Sequence, residues 1–429
     1  MFPTLNYLIN YLFGTEIQLN FPPTFGTLVA LSFLAAAWIL RKEMVRKAKQ
    51  GLIPEVKIKI TKGAAPTLQE GLVNGIIGGF IGLKVGALLL GEAPEFGDNP
   101  QGFILSLEGN WLTALVGALA FGGYAYYDKK RNALPTPEVT TQAMPMADLV
   151  SGITLNAAGY GILGAKLFHN LEYFDAFMAD PLGSLFSVTG LTFYGGLIGG
   201  FYGVRRFVRK RGIPTIHIAD AVAPALILAY GIGRIGCLLS GDGDWGVVNS
   251  AYRISEDRQY QEIPLDTFQM DAQKYFFYYN APLPSEVPHI YQPKPAALSF
   301  LPDWFFAFDF PHNVNNEGIP ITGCEGTYCS RLPLPVFPTM IYEIGMALLI
   351  FVGLWSVRGY FSSPGQMFGA YLMANGVERF LIEQIRVNAE MHLLGITFTQ
   401  AELIAVVLVG AGLLMLVQNK RLQPWLMKI

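Results

Sequence analysis

Nine apolar runs, each near 20 residues, recur along this 429-residue chain, at 24–40, 70–91, 110–127, 147–168, 190–207, 218–239, 337–357, 364–385 and 399–417. A helix needs about 20 apolar residues to cross the hydrocarbon core of a bilayer. Inside lipid only helices and closed barrels satisfy every backbone polar group. The runs therefore predict an all-α polytopic membrane protein with about nine transmembrane helices. Composition agrees: 52% of residues are hydrophobic and 14% charged, with a mean hydropathy of +0.36. A soluble domain carries about 25% charged residues. The net charge of −2 excludes a basic nucleic-acid binder, and the apolar content excludes a disordered chain. Five His and three Cys leave little material for a metal cluster, and no spacing among them suggests zinc.

Loop charge sets the orientation. Basic clusters at 41–50, 57–62, 128–131, 205–211 and 419–421 alternate with loops near 92–109 and 169–189 that contain no Lys or Arg. The segments expected in the cytoplasm hold 20 of the 30 basic residues. The positive-inside rule then puts the N-terminus outside and the C-terminus in the cytoplasm. No basic stretch precedes the first apolar run, so a cleaved signal peptide is not expected, and residues 1–14 are expected to form a short interfacial helix. Gly75, Gly79, Gly82 and Gly86, and then Gly195, Gly196, Gly199, Gly200 and Gly203, recur at the small-xxx-small spacing that lets helices approach closely.

One polar insert, 241–336, interrupts the pattern on the outer, periplasmic side. It contains Cys324 and Cys329 in GCEGTYC, which are expected either to form a small disulfide in an oxidising compartment or to remain free thiols. Its DFPHNVNNEG run offers His312, Asn313, Asn315 and Asn316 as hydrogen-bonding groups or as a solvated loop.

Charged residues within membrane spans are expensive and mark function by default. Here they are Lys84, Lys166, Arg234, Glu343, Glu378, Arg379, Glu383 and Glu402, with Asp220 at the start of a span. Counting from the span ends at 1.5 Å per residue, Tyr194, Arg234, Tyr342, Glu343, Arg379 and Glu383 fall within roughly 10 Å of the outer interface. Arg379, Glu383 and Arg386 are spaced i, i+4, i+7, which places one carboxylate between two guanidiniums on one helix face. Guanidiniums held at headgroup level suit a phosphate. The residues alone thus read as a site for an anionic lipid headgroup, with a structural ion-pair cluster as the other reading.

GIGRIGCLLSGDGDWG (231–246) resembles the G-R-x-G-N-F-x-N-G-E-x-x-G signature of the prolipoprotein diacylglyceryl transferase family. TFYGGLIGG (192–200), FPTMIYE (337–343) and RFLIEQIR (379–386) resemble three further motifs of that family, in its order. FMADPL (177–182) and FTQAE (398–402) also fall in order. The resemblance covers 24–40 and 147–417 apart from the insert. It implies a seven-helix core with the N-terminus outside, to which 51–145 adds two spans. The expected division is 1–50, the inserted pair 51–145, core spans 146–240, the outer insert 241–336, and core spans 337–429.

The resemblance also implies the reaction. A diacylglyceryl group passes from phosphatidylglycerol to the lipobox cysteine thiol of a preprolipoprotein, in the bacterial inner membrane, with release of glycerol phosphate. It implies catalytic roles for Arg234, Arg379, Glu383 and Tyr194, and substrate contacts for Gly195, Gly196, Ser240, Asp242, Gly246, Tyr342, Glu343, Arg386 and Phe25. No cofactor, metal or nucleic acid is implied, and the partners are phosphatidylglycerol, the lipobox segment and membrane lipids. The chain departs from the pattern at several points. Tyr194 stands for the family His, Phe25 for a Tyr, Cys237 and Ser240 for two Asn, and Asp242 for the Glu, with one extra residue before Trp245–Gly246. Asn375 and Ile162 stand for a further Tyr and Arg. A tyrosine acts as a base only as phenolate, from a pKa near ~10. A related phospholipid-handling enzyme with another donor or acceptor, and a non-catalytic lipid-binding membrane protein, are the alternatives.

Overall fold

The computed structural model describes residues 1–15, 22–92, 103–104, 106–186, 192–255, 257, 259–361, 363–388, 390–393 and 396–417. Its principal helices are α1 (Leu5–Phe13), α2 (Thr24–Lys49), α3 (Leu68–Leu89), α4 (Trp111–Arg131), α5 (Met146–Glu172), α6 (Phe193–Arg209), α7 (Thr215–Ser240), α8 (Thr339–Val357), α9 (Gln366–Glu383) and α10 (Gln400–Val417). Each of the nine apolar runs coincides with one of α2–α10; residues 190–191 of the fifth run and the basic 419–421 lie outside the described residues. Among the described residues, α2, α3, α7, α8 and α10 are long and apolar enough to cross a membrane. Of the other four, α6 has 17 residues, α9 carries Glu378, Arg379 and Glu383, and α4 and α5 dilute their apolar residues with Gly, Tyr and Asn. The chain is a polytopic helical membrane protein.

The helices fall into two compact units, Met1–Gln18 with Pro22–Ile53 and Ile213–Ile429, and Leu19–Phe21 with Pro54–Gly212. In the second unit α3 begins on a reciprocal cap: Thr67 Oγ1 accepts the Glu70 N–H, and the Glu70 carboxylate accepts the Thr67 N–H. The helix then packs on α4 through backbone. A Cβ at Gly78 would stand 2.4 Å from the Gly117 carbonyl oxygen, and one at Gly82 2.2 Å from that of Thr113. α5 and α6 meet in the same way, with a Cβ at Gly164 2.2 Å from the Gly195 carbonyl oxygen. Gly75 and Gly79, by contrast, have only ordinary contacts, at 3.4 Å or more. Lys84, costly in a span, donates to the carbonyl oxygens of Ser106 at 2.8 Å and Glu108 at 2.6 Å. A ribbon of Lys57–Lys62 paired antiparallel with Glu138–Ala143 flanks the α3–α4 hairpin in the chain.

In the first unit α7 packs on α2 and α8, and α9 packs on α10. The small residues Gly369, Gly376 and Gly412 set the α9–α10 contact. Asp220 of α7 accepts the N–H groups of Gly365 (2.9 Å) and Phe368 (3.0 Å), and so caps the start of α9. The 241–336 insert has a core of its own, continuous with the helix ends. Phe268, Phe310, Val336 and Leu334 are buried together with Cys237 of α7 and Met340 of α8. Cys324 and Cys329 form a disulfide. The Asn and His residues of 309–318 serve the insert itself. Asn313 is fully buried and donates to the Glu317 carbonyl oxygen at 2.9 Å, and Asn316 donates to that of Thr327 at 2.7 Å.

Candidate active site

Three helices and one loop converge on a cluster of charge. Arg234, six residues before the end of α7, donates through Nη1 to Asp244 Oδ2, and its Nε lies 3.3 Å from Glu343 Oε2. Arg386 follows the end of α9. Its Nη2 donates to Asp244 Oδ1 at 2.7 Å, and its Nη1 lies 3.8 Å from Glu343 Oε1. Two guanidiniums therefore share two carboxylates. Glu343 is fully buried on the second turn of α8, whereas the Asp244 side chain is 40% exposed.

Backbone contacts fix the loop that carries Asp244. Gly246 N–H donates to the Phe337 carbonyl oxygen at 2.9 Å, and Val247 N–H to that of Ile385 at 2.8 Å. Thr339 Oγ1 donates to the carbonyl oxygen of Asp244 itself at 2.8 Å. A Cβ at Gly246 would stand 2.6 Å from the Ile385 carbonyl oxygen, so this close approach requires glycine. Before it, Gly241 (φ +65°) and Gly243 (φ +97°) turn the chain out of α7.

Arg379 pairs with Glu383 at 3.1 Å, one turn on along α9. Glu383 also accepts hydrogen bonds from Asn388 Nδ2 (2.5 Å) and Thr399 Oγ1 (2.6 Å). The expected arrangement of Glu383 between Arg379 and Arg386 is not formed. α9 ends at Glu383, so Arg386 sits in the following turn, leaves the helical face and reaches Asp244 and Glu343 instead.

The other expected site residues divide by location. Tyr342 is engaged by the insert: its hydroxyl donates to the Phe305 carbonyl oxygen at 2.6 Å, and the two rings lie 5.1 Å apart. Ser240 is buried and donates back to the Gly236 carbonyl oxygen at 2.8 Å. Phe25 packs against α7, with its Cδ2 3.3 Å from a Cβ at Gly236. Asp242 Oδ1 accepts the Asp244 N–H at 3.4 Å and makes no ion pair among the described residues. Tyr194, Gly195 and Gly196 belong to the second unit, where Gly195 lies in the α5–α6 contact and Tyr194 is 41% exposed.

Two participants, Asp244 and Tyr230, were missed by the sequence reading, and a third was given no role. The resemblance set Asp242 in the place of the family Glu and passed over Asp244, yet it is Asp244 that meets Arg234 and Arg386. Tyr230 stands one turn before Arg234, and its hydroxyl lies 2.9 Å from Glu343 Oε1 and 3.0 Å from Glu378 Oε1. No charge marks a lone tyrosine in a span. Glu378 was visible as an intramembrane charge without a role.

The loop carboxylates are tuned in opposite directions. Burial pushes Asp242 up. Burial acts the same way on Asp244, but the Arg234 and Arg386 guanidiniums outweigh it and hold Asp244 below the usual carboxylate range. Cys237, Asp242 and Asp244 bring one thiol and two carboxylates within 4.8 Å of one another, yet the two guanidiniums compete with any cation for Asp244. A cavity of about 150 Å³ lies beside Arg386, walled by Trp245, Gly246, Tyr279, Pro288 and Val387.

The family model described as prolipoprotein diacylglyceryl transferase matches residues 112–418, which include every charged group of this cluster. The chain belongs to the prolipoprotein diacylglyceryl transferase family. A Corynebacterium glutamicum protein named phosphatidylglycerol–prolipoprotein diacylglyceryl transferase is 28% identical over 269 residues, 62% of this chain and 67% of its own length. Proteins of the same name from Chlorobaculum tepidum and Vibrio cholerae are 23% identical over 299 residues and 26% identical over 277. These alignments cover 66% and 63% of this chain, and 79% and 74% of the relatives. The family match begins within α4, upstream of the 147–417 stretch that carries the motifs.

Proposed function

We infer that this membrane transferase moves the diacylglyceryl group of phosphatidylglycerol to the cysteine thiol of a prolipoprotein. The observation that carries the reading is the Asp244 carboxylate spread over Arg234 and Arg386. A phosphodiester presents the same pair of anionic oxygens at similar spacing, and paired guanidiniums bind either group. The thiolate attacks the glyceryl carbon that bears the phosphate ester. A C–S bond forms, the C–O bond to phosphate breaks, and glycerol phosphate leaves with the electron pair. The thiol proton has a place on the new phosphate monoester, so the reaction is balanced without a cofactor. Arg234, Arg379 and Arg386 act on the charge that develops on the leaving group. The cavity beside Arg386 gives the departing headgroup room.

In this reading nine helices span the bacterial inner membrane, with the N-terminus and the 241–336 insert on the outer side. The division at 50/51, 145/146, 240/241 and 336/337 then separates the two added spans and the insert from the seven-helix core. Phe25, Ser240, Asp242, Gly246, Tyr342 and Glu343 shape the headgroup site, Phe25, Ser240 and Tyr342 by packing. The lipobox segment is the acceptor and Tyr194, with Gly195 and Gly196, its candidate contact. The changed residue at 194 favours one second reading, a donor or acceptor other than the family's.

The test is a reconstituted transfer assay with phosphatidylglycerol and a lipobox peptide. A diacylglyceryl mass gain on the peptide, lost in Arg379→Ala, supports the reading. No product from folded, lipid-loaded protein overturns it. A Tyr194→Phe variant with full activity would remove Tyr194 from the reaction.

A further inference from the structure

A second cluster of charge lies in the same unit at the other end of α7. Asp220 is 14 positions before Arg234, or about 21 Å along the helix at 1.5 Å per residue. Here the end of α2, the start of α7 and the segment joining α8 to α9 line a small recess of about 20 Å³ that opens outward at its mouth. Glu43, 1% exposed, pairs with Arg46, and Arg358 Nε lies 3.7 Å from it. Lys47 Nζ lies 3.4 Å from Asp220, whose oxygens already accept two backbone N–H groups. Among the described residues these groups are three cations against two carboxylates, an excess of one positive charge.

The recess also contains a buried polar atom without a partner. His217 is 8% exposed and lines the recess, and among the described residues its Nδ1 has no hydrogen-bond partner. Such an atom costs free energy unless something else satisfies it. The neighbouring donors have capacity to spare. Lys47 uses one of three ammonium protons on Asp220, and Gln50 accepts from Arg46 through Oε1, which leaves its amide N–H groups. Arg358 donates through Nη1 to the Trp355 carbonyl oxygen, and none of its described bonds uses Nη2. Lys47, Gln50, His217 and Arg358 all line the recess, and an oxyanion with three or four acceptor oxygens can use donors from more side chains than a carboxylate with two.

We propose that this recess binds a phosphate group, supplied by a phospholipid headgroup or by free phosphate. The site is separate from the Arg234 cluster and does not depend on the transfer reaction. Full-length protein labelled with [15N]histidine carries five reporters, and His217→Ala assigns the relevant one. One arm titrates inorganic phosphate into protein in neutral detergent. The other compares phosphatidylcholine nanodiscs with and without phosphatidylglycerol. A saturable shift of the His217 ring signal is expected, with affinity weakened about tenfold in Arg358→Gln, as for loss of a charge-assisted hydrogen bond. A shift in the phosphatidylglycerol nanodiscs identifies a lipid source, and a shift with inorganic phosphate alone identifies the free ion. If Arg358→Gln does not fold, Gln50→Leu is expected to weaken binding severalfold. A His217 signal unmoved in both arms, or affinity unchanged in a folded variant, overturns the proposal whatever the transfer assay gives.

Discussion

Arg386 donates to Asp244 at 2.7 Å across 142 positions of sequence, and this bond ties the turn after α9 to the loop after α7. Arg234 holds the other oxygen of the same carboxylate. The cluster is therefore a clamp between two chain segments as well as a patch of charge.

Arg234→Lys keeps the charge and loses the fork that reaches Asp244 and Glu343 together. Transfer to a lipobox peptide, followed by mass, is expected to fall about 10²–10³-fold, the effect of removing one oxyanion donor. Near-normal turnover would show that positive charge alone suffices.

Asp244 titrates below an unfolded carboxylate, which lies near ~3.9. Its ion pairs thus contribute fully above that pH, and the contribution disappears as pH falls through the lower, folded value. Acid unfolding of the wild type, followed by tryptophan fluorescence below about pH 4, should include a loss that Asp244→Asn lacks. Identical acid limbs would remove Asp244 from the stabilising set.

Tyr230→Phe removes the hydroxyl that lies between Glu343 and Glu378. Glu343 keeps Arg234, but Glu378 loses the one hydrogen-bond partner found for it among the described residues. An unsatisfied buried acceptor costs about 1–3 kcal/mol, so the thermal midpoint in detergent should drop. An unchanged midpoint would mean that the contact carries no net stability.

Gly164→Ala would put a methyl 2.2 Å from the Gly195 carbonyl oxygen, whereas Gly159→Ala meets nothing within 4 Å. The first should destabilise by about 1–3 kcal/mol through overpacking, and the second should be neutral or mildly stabilising. Equal effects on the melting temperature would contradict the close α5–α6 contact.

Alkylation of unreduced protein followed by mass measurement should modify neither Cys324 nor Cys329, which are bonded, nor the buried Cys237. Two labels are expected after mild reduction without unfolding. Labelling of Cys324 before reduction would place the insert in a reducing compartment.

The helices were legible because spanning a bilayer imposes a length and an apolar composition that a sequence displays directly. All nine apolar runs coincide with helices, and glycine spacing marked two of the helix pairs that touch through backbone. Gly75 and Gly79 also face α4, at ordinary contact distance rather than with the closeness that excludes a Cβ, because periodicity names a face and not its distance from the next helix. The possible pairing of Cys324 with Cys329 was readable because five positions separate them.

The chain's own residues determined a many-helix membrane fold, an ordered set of family motifs, and arginines near the ends of apolar runs. Tertiary structure alone decided which carboxylate each arginine meets. α9 ends at Glu383 and frees Arg386 from the helical register, and the close approach at Gly246 brings Asp244 rather than Asp242 between the guanidiniums. The physical reason is that charges reveal only their sign and count in a sequence. Their partners depend on where helices stop and how closely backbones approach, and both are settled by packing across distant segments.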